Sequence, residues 1–432
     1  MSTIIKKSVV SKEYLFPFII ITSLFALWGF ANDITNPLVA AFATVMEIST
    51  AKAALIQLAF YGGYATMAIP AALFVRKYSY KRGIILGLTL YGVGALLFYP
   101  AAEFEFFGFF LVSLYILTFG LAFLETTANP FILSMGNKET ATRRLNLAQA
   151  FNPIGSLLGM FVASKFILVA LNSDKRNAAG ELIFSSLSTL EKSIIRTHDL
   201  ALIRNPYIIL GFVVIIMIII VFFVKMPKRE KEKNQADVAS SFKRLFKNRN
   251  YREGVIAQLF YVAAQIMCWT FIIQYAGNLG ISKADAQNYN IIAMSIFLSS
   301  RFISTFLMKY INSKKLLTIF AICAICTTAG VILINGIFGL YLLIATSAFM
   351  SLMFPTIYGI ALDGLKQEDT ALGAAGLVMA IVGGALMPIL QGLLIDIDKI
   401  GSFSGINFSF ILPLICFIFI SIYGYRTQKL YS

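Results

Sequence analysis

The sequence predicts an all-α membrane protein of twelve transmembrane helices arranged as two six-helix halves. Three observations predict it. Of 432 residues, 58% are hydrophobic and only 13% are charged, whereas soluble domains are about half apolar and a quarter charged. The apolar residues come in runs of roughly 20, the length a helix needs to cross the hydrocarbon layer. A polar, basic stretch, Lys225–Arg252, falls in the centre with six such runs on each side. The runs do not alternate as barrel strands do, and helices satisfy every backbone group internally.

Twelve spans are expected over Leu15–Val45, Ala54–Val75, Gly83–Ala101, Phe106–Phe131, Leu145–Ala170, Pro206–Val224, Gly254–Tyr275, Tyr289–Met308, Leu316–Ile334, Gly339–Leu362, Leu372–Ile395 and Phe408–Tyr425. The first and fourth are long enough to tilt or break. The N-terminus, Met1 to Glu13, is short and basic, and the run after it is too long for a signal peptide. The expected division is an N-terminal half over residues 1–224, a cytoplasmic linker over 225–252 carrying an amphipathic stretch (Phe242, Leu245, Phe246), and a C-terminal half over 253–432.

The net charge of +15 would suit a nucleic-acid binder, but its distribution excludes that partner. Loops leaving even-numbered spans hold Arg76, Lys77, Lys81 and Arg82, then Lys138, Arg143 and Arg144, then Lys309, Lys314 and Lys315. Loops leaving odd-numbered spans hold little beyond Lys52, Lys283 and Lys399. By the positive-inside rule the even loops and both termini are cytoplasmic, in an inner membrane. The segment Asn172–Asn205 reads as a long loop of mixed charge, with His198 solvated in it. Cys268, Cys323, Cys326 and Cys416 all fall in apolar runs, which argues against a disulfide framework.

Polar groups within the spans carry the function. An acid at the bilayer centre costs about 2.5–3.5 kcal/mol on insertion scales, so Asp33 in the first span and Glu125 in the fourth need a reason. Neither has a basic residue at helical spacing on its own helix. Burial disfavours the charged form of such a group, which equips it to take up and release protons. Asp33 is followed by Asn36-Pro37 and Glu125 by Asn129-Pro130; each pair puts an acid and an amide on one face within about a turn, then interrupts the ladder with proline. Gln149 followed by Asn152-Pro153 is a third such place, in the fifth span. Interrupted helices in corresponding positions mark the site of an inverted repeat.

In the seventh span Gln258, Tyr261, Gln265 and Trp269 recur at i, i+3, i+7 and i+11, one helical face. Amides beside an aromatic platform suit a sugar, whose hydroxyls need donors and acceptors and whose C–H face stacks on a ring. Tyr358, after Pro355 in the tenth span, is a further candidate. Asn290 reads as polar glue between helices, and Arg301 as a side chain snorkelling near the cytoplasmic end. No phosphate-binding loop, hydrolase triad or metal cluster is found, so no cofactor, no metal, no ATP-driven pump and no enzyme is expected.

The 6+6 split around a basic loop suggests the major facilitator architecture. The stretches FALWGFANDITNPL (Phe25–Leu38), AFLETTANPF (Ala122–Phe131), RLNLAQAFNPIGS (Arg144–Ser156), AQLFYVAAQIMCWTFIIQYA (Ala257–Ala276) and FMSLMFPTIYGIAL (Phe349–Leu362) resemble the fucose:proton symporter family of that superfamily. The resemblance covers nearly the whole chain. It implies carriage of fucose, galactose, glucose or a related sugar. It also implies that Glu125 carries the proton and that Asn152, Gln265 and Trp269 stand at family site positions. In the first span the fucose symporter has Asn and then Asp three residues on, where this chain has Asp33 and then Asn36. The leading expectation is therefore proton-coupled import of a small neutral sugar by a monomer in the lipid bilayer. The alternatives are a uniporter, a carrier of another neutral solute such as an amino sugar, or a non-transporting sugar sensor on a carrier fold.

Overall fold

The computed structural model describes residues 9–35, 38–48, 50–53, 55–175, 177, 183–224, 238–281, 283–395, 397 and 399–429. Among these, twelve helical stretches are long and apolar enough to cross a membrane. They are Lys12–Thr35, Leu58–Lys77, Tyr80–Glu103, Phe107–Ser134, Lys138–Ala170, Thr189–Phe223, Arg249–Ala276, Asn288–Leu307, Ser313–Leu333, Ile337–Leu362, Gln367–Ile395 and Gly405–Lys429. They gather into two compact units, one of 23–127 and 154–226, the other of 1–22, 128–153 and 227–432.

In the unit of 23–127 and 154–226, small residues let helices approach closely, as membrane bundles require. A Cβ at Gly94 would run into the backbone of Leu117, and one at Gly120 into that of Tyr91, so the third and fourth spans touch backbone to backbone. Tyr91 is fully buried and donates through its hydroxyl to the Leu27 carbonyl at 2.8 Å. Tyr207 shares a hydrogen bond of 2.7 Å with Thr35 and stacks on Phe98, centroids 3.7 Å apart. Along the sixth span Ile209, Phe212, Ile216, Ile219 and Phe223 are exposed at helical spacing, a stripe made for lipid.

Two sequence expectations change in this unit. The sixth span begins at Thr189, with Pro206 inside the helix. Its 35 residues make it about 52 Å long, well beyond a hydrocarbon core of about 30 Å. Charged residues interrupt the apolar run and hid the extra turns, but they are satisfied locally. Ser188 and Glu191 form a reciprocal capping box. Lys192 and Arg196 pair with Glu47 at 2.7 and 2.9 Å, and Arg204 pairs with Glu103. His198 stands on this helix rather than in a loop, its Nδ1 3.0 Å from the fully buried Asp199 carboxylate. Of the expected first span, the helices Leu15–Thr35 and Leu38–Val45 are described.

The other unit holds spans seven to twelve together with 128–153. Asn407 donates to the Val331 carbonyl at 2.7 Å, and Asn250 to that of Ile360 at 2.9 Å, so buried amides tie the helices together. A short antiparallel hairpin pairs Lys399 with Ser404 and Ile400 with Phe403, turning at Gly401 with φ 64°. The amphipathic stretch of the linker forms the helix Val238–Lys247. It is moored by Arg244, which donates to both Asp369 oxygens at 2.7 and 2.8 Å and pairs with Glu368 at 2.7 Å. The Asp369 carboxylate raises the Arg244 guanidinium above its ordinary range.

Two basic residues depart from their expected places here. Arg144 is fully buried rather than exposed in a loop. It donates to the carbonyls of Ile132 at 2.7 Å, Leu133, and Val9 at 2.9 Å. It thus adds side-chain donors to the carbonyls in the last turn of the fourth span, beyond the reach of the regular helical ladder, and ties that turn to Val9. Arg301 is also buried and does not snorkel.

Candidate functional site

Glu125 and Asp33 both belong to the unit of 23–127 and 154–226. Asp33 is 5% exposed, with the Asn32 amide 3.5 Å away. Glu125 is half-buried, and its Oε2 is buried with no protein hydrogen-bond partner. Two second-span tyrosines lie in electrostatic range of these acids: Tyr61 of Asp33 and Tyr64 of Glu125. Gly63, between them, brings the second span against the fourth, since a Cβ there would stand 2.8 Å from Thr118. The two tyrosines were not singled out in the sequence. A pair at i, i+3 around Gly62-Gly63 was the available signal.

Asn36 and Pro37 lie outside the described residues. The other prolines behave differently from one another. Pro130 sits inside an uninterrupted helix, Phe107–Ser134, so the expected break is absent there. The fifth span is broken just before Pro153, into Ala141–Gln149 and Asn152–Val162. The tenth is broken just before Pro355, into Ile337–Met350 and Met353–Leu362. Proline lacks the N–H that would bond one turn back; at Pro153 and Pro355 the freed carbonyls, those of Gln149 and Ser351, accept from Arg301 instead.

The remaining candidates belong to the other unit. Asn129 is fully buried, and its Oδ1 accepts from Gln149 Nε2 at 2.9 Å, while its Nδ2 has no protein partner. Asn152 is half-buried. In the seventh span Gln258 and Tyr261 are both fully buried. Neither amide atom of Gln258 has a protein partner, and nor does the Tyr261 hydroxyl. The Tyr261 ring meets Phe354 edge-on at 6.1 Å, and Phe354 stacks on Tyr358 at 6.3 Å, so the seventh and tenth spans share an aromatic row. Gln265 and Trp269 are half-buried. The indole N–H of Trp269 donates to Ser347 at 3.1 Å, and its ring packs edge-on against Phe297 at 5.0 Å.

Buried polar atoms are nearly always paired. Gln258 and Tyr261 thus leave unpaired amide and phenol groups on one helical face, beside aromatic rings. The model of the Major Facilitator Superfamily matches residues 19–388. The L-fucose-proton symporter of Haemophilus influenzae is 65% identical over 423 residues, covering 98% of this chain and 99% of that protein. The chain belongs to the fucose:proton symporter family of the major facilitator superfamily.

Other members of the family agree. The L-fucose-proton symporter of Escherichia coli is 34% identical, covering 97% of this chain and 94% of its own. A glucose/galactose transporter of Brucella abortus is 31% identical, covering 97% and 95%. The crystal structure of the Escherichia coli fucose:proton symporter matches with a TM-score of 0.86 at 33% identity, over 96% of this chain and 99% of that one. The family membership makes this a multi-pass membrane transporter, built on the fold the twelve spans display.

Proposed function

We propose that this chain is a proton-coupled symporter that imports a small neutral sugar of the fucose, galactose or glucose kind by alternating access. The supporting relatives carry L-fucose with protons or are named for glucose and galactose. The observation that carries the reading is the pairing of two kinds of buried, unpartnered group. Glu125 offers a carboxyl oxygen with no protein partner, suited to bind and release a proton. Gln258 and Tyr261 offer an amide and a hydroxyl suited to sugar hydroxyls.

In this reading Glu125 and Asp33 carry the proton. Asn36, Asn129, Gln149, Asn152, Gln258, Tyr261, Gln265, Trp269 and Tyr358 form the sugar surface. The chain works as a monomer in the inner membrane with both termini cytoplasmic. The halves 1–224 and 253–432, joined by the linker 225–252, rock about a midplane site. No reaction is catalysed, and the ion gradient supplies the energy. The experiment is uptake of a radiolabelled sugar panel into proteoliposomes, with and without an imposed pH gradient. Accumulation that follows the gradient supports the reading; gradient-independent equilibration would make the chain a uniporter.

A further inference from the structure

Arg301 carries a charge into the eighth span, and its partners are unusual. Among the described residues its contacts are carbonyls and a ring, not a carboxylate. The Nη1 donates to the Gln149 carbonyl at 3.0 Å and the Nε to that of Ser351, while the guanidinium lies over Phe297 at 4.6 Å. Both carbonyls sit where a helix is broken: Gln149 ends Ala141–Gln149, and Ser351 follows Ile337–Met350. Carbonyls at such ends have no helical N–H to accept from. One guanidinium, with its fixed fork of donors, therefore joins the eighth span to the breaks in the fifth and the tenth.

The same junction reaches two candidate sugar contacts. Gln149 holds Asn129 with its side chain while its carbonyl holds Arg301. Phe297, under the guanidinium, is the ring that packs against Trp269. Neighbouring contacts close the same seam. Asn146 donates to Thr356 at 3.1 Å and Arg143 to the Thr305 carbonyl at 3.3 Å. A Cβ at Gly359 would stand 2.8 Å from Thr142, so the fifth and tenth spans touch without room for a side chain.

We propose that Arg301 is the positioning residue of a cytoplasmic gate, which holds the broken fifth span shut against the eighth and tenth spans and lets go when sugar is released inward. The assignment rests on the transport reading above. A latch built on carbonyls suits a gate. On opening, water takes over both the guanidinium's donors and the carbonyls' lone pairs, and no ion pair has to be separated.

The test uses the full chain in lipid vesicles. Ala148, fully buried beside Gln149, is replaced by cysteine as a reporter, with Cys323 and Cys326 replaced by serine. Maleimide labelling of that cysteine is compared with Arg301 intact and in Arg301→Gln, Arg301→Lys and Asn146→Ala. We expect labelling to quicken at least tenfold in Arg301→Gln and several-fold in Arg301→Lys, which keeps the charge but not the fork. Asn146→Ala, which removes one neutral bond of the seam, should show a smaller rise. We also expect the KM for sugar to rise at the outer face and fall at the inner face, because the population shifts toward the inward-open state. A general loosening would raise KM at both faces and would overturn the proposal. So would labelling unchanged in Asn146→Ala and in whichever Arg301 variant folds. Labelling needs neither sugar nor a gradient. Quickened labelling without sugar uptake would leave the gate standing and remove the substrate reading instead.

Discussion

Replacing Gln258 by leucine should move stability and binding in opposite directions. The Gln258 side chain is fully buried and neither amide atom has a protein partner. Leaving a buried polar group unsatisfied costs about 1–3 kcal/mol, so an apolar side chain of similar size should stabilise the sugar-free protein by about that amount. If a sugar hydroxyl pairs with the amide, the variant forfeits one or two hydrogen bonds of about 0.5–1.5 kcal/mol each. At about 1.4 kcal/mol per factor of ten, affinity should fall roughly two- to 150-fold. The assay is thermal unfolding in detergent with and without sugar, together with calorimetric titration. We expect a higher midpoint without sugar and a smaller rise on adding it. A variant that melts below the native protein, or binds sugar as tightly, would refute the reasoning and return Gln258 to helix packing.

Glu125→Gln mimics the protonated acid, so it should retain sugar exchange between two loaded sides but lose accumulation driven by a pH gradient; counterflow and gradient-driven uptake measured side by side decide it. Asp33→Asn alone should uncouple, whereas the double exchange Asp33→Asn with Asn36→Asp should restore coupling, since three residues along a helix is a rise of only about 4.5 Å; normal coupling in the single variant would make Asp33 structural. Trp269→Ala should weaken sugar binding by about 0.5–1.5 kcal/mol for the stacking contact, together with a loss of packing on Phe297, read by titration alongside a folding control. Asp369→Asn should lower the unfolding midpoint by weakening the bidentate mooring of Arg244, with sugar affinity unchanged.

The spans were legible because hydropathy reports the bilayer directly, and eleven of the twelve expected runs begin within about ten residues of the helices observed. The sixth was not, because Glu191, Lys192, Arg196 and Arg204 look like loop charges in sequence. Only the fold shows Glu191 capping with Ser188, and Glu47 and Glu103 standing opposite the three basic residues. Arg144 and Arg301 were misplaced for a related reason. Hydropathy cannot tell that a basic residue will turn inward to bond backbone carbonyls, at the end of the fourth span for Arg144 and at helix breaks for Arg301. The Gln258–Tyr261 face was readable from spacing alone. The contact of Gln149 with Asn129 was not, since it depends on how the fourth and fifth spans meet. Pro130 was over-read, because a proline removes one hydrogen bond but does not by itself part a helix held by its neighbours.

The central claim is that sugar and protons move together. Purified protein reconstituted in vesicles carrying an internal pH dye, with no imposed gradient, should acidify the lumen when fucose, galactose or glucose is added outside. The Glu125→Gln variant should not. With an imposed gradient, a one-proton carrier should accumulate sugar about tenfold per pH unit, since each unit is worth about 1.36 kcal/mol. Sugar entry that leaves the internal pH unchanged, at the same rate in the native protein and in Glu125→Gln, would contradict the account.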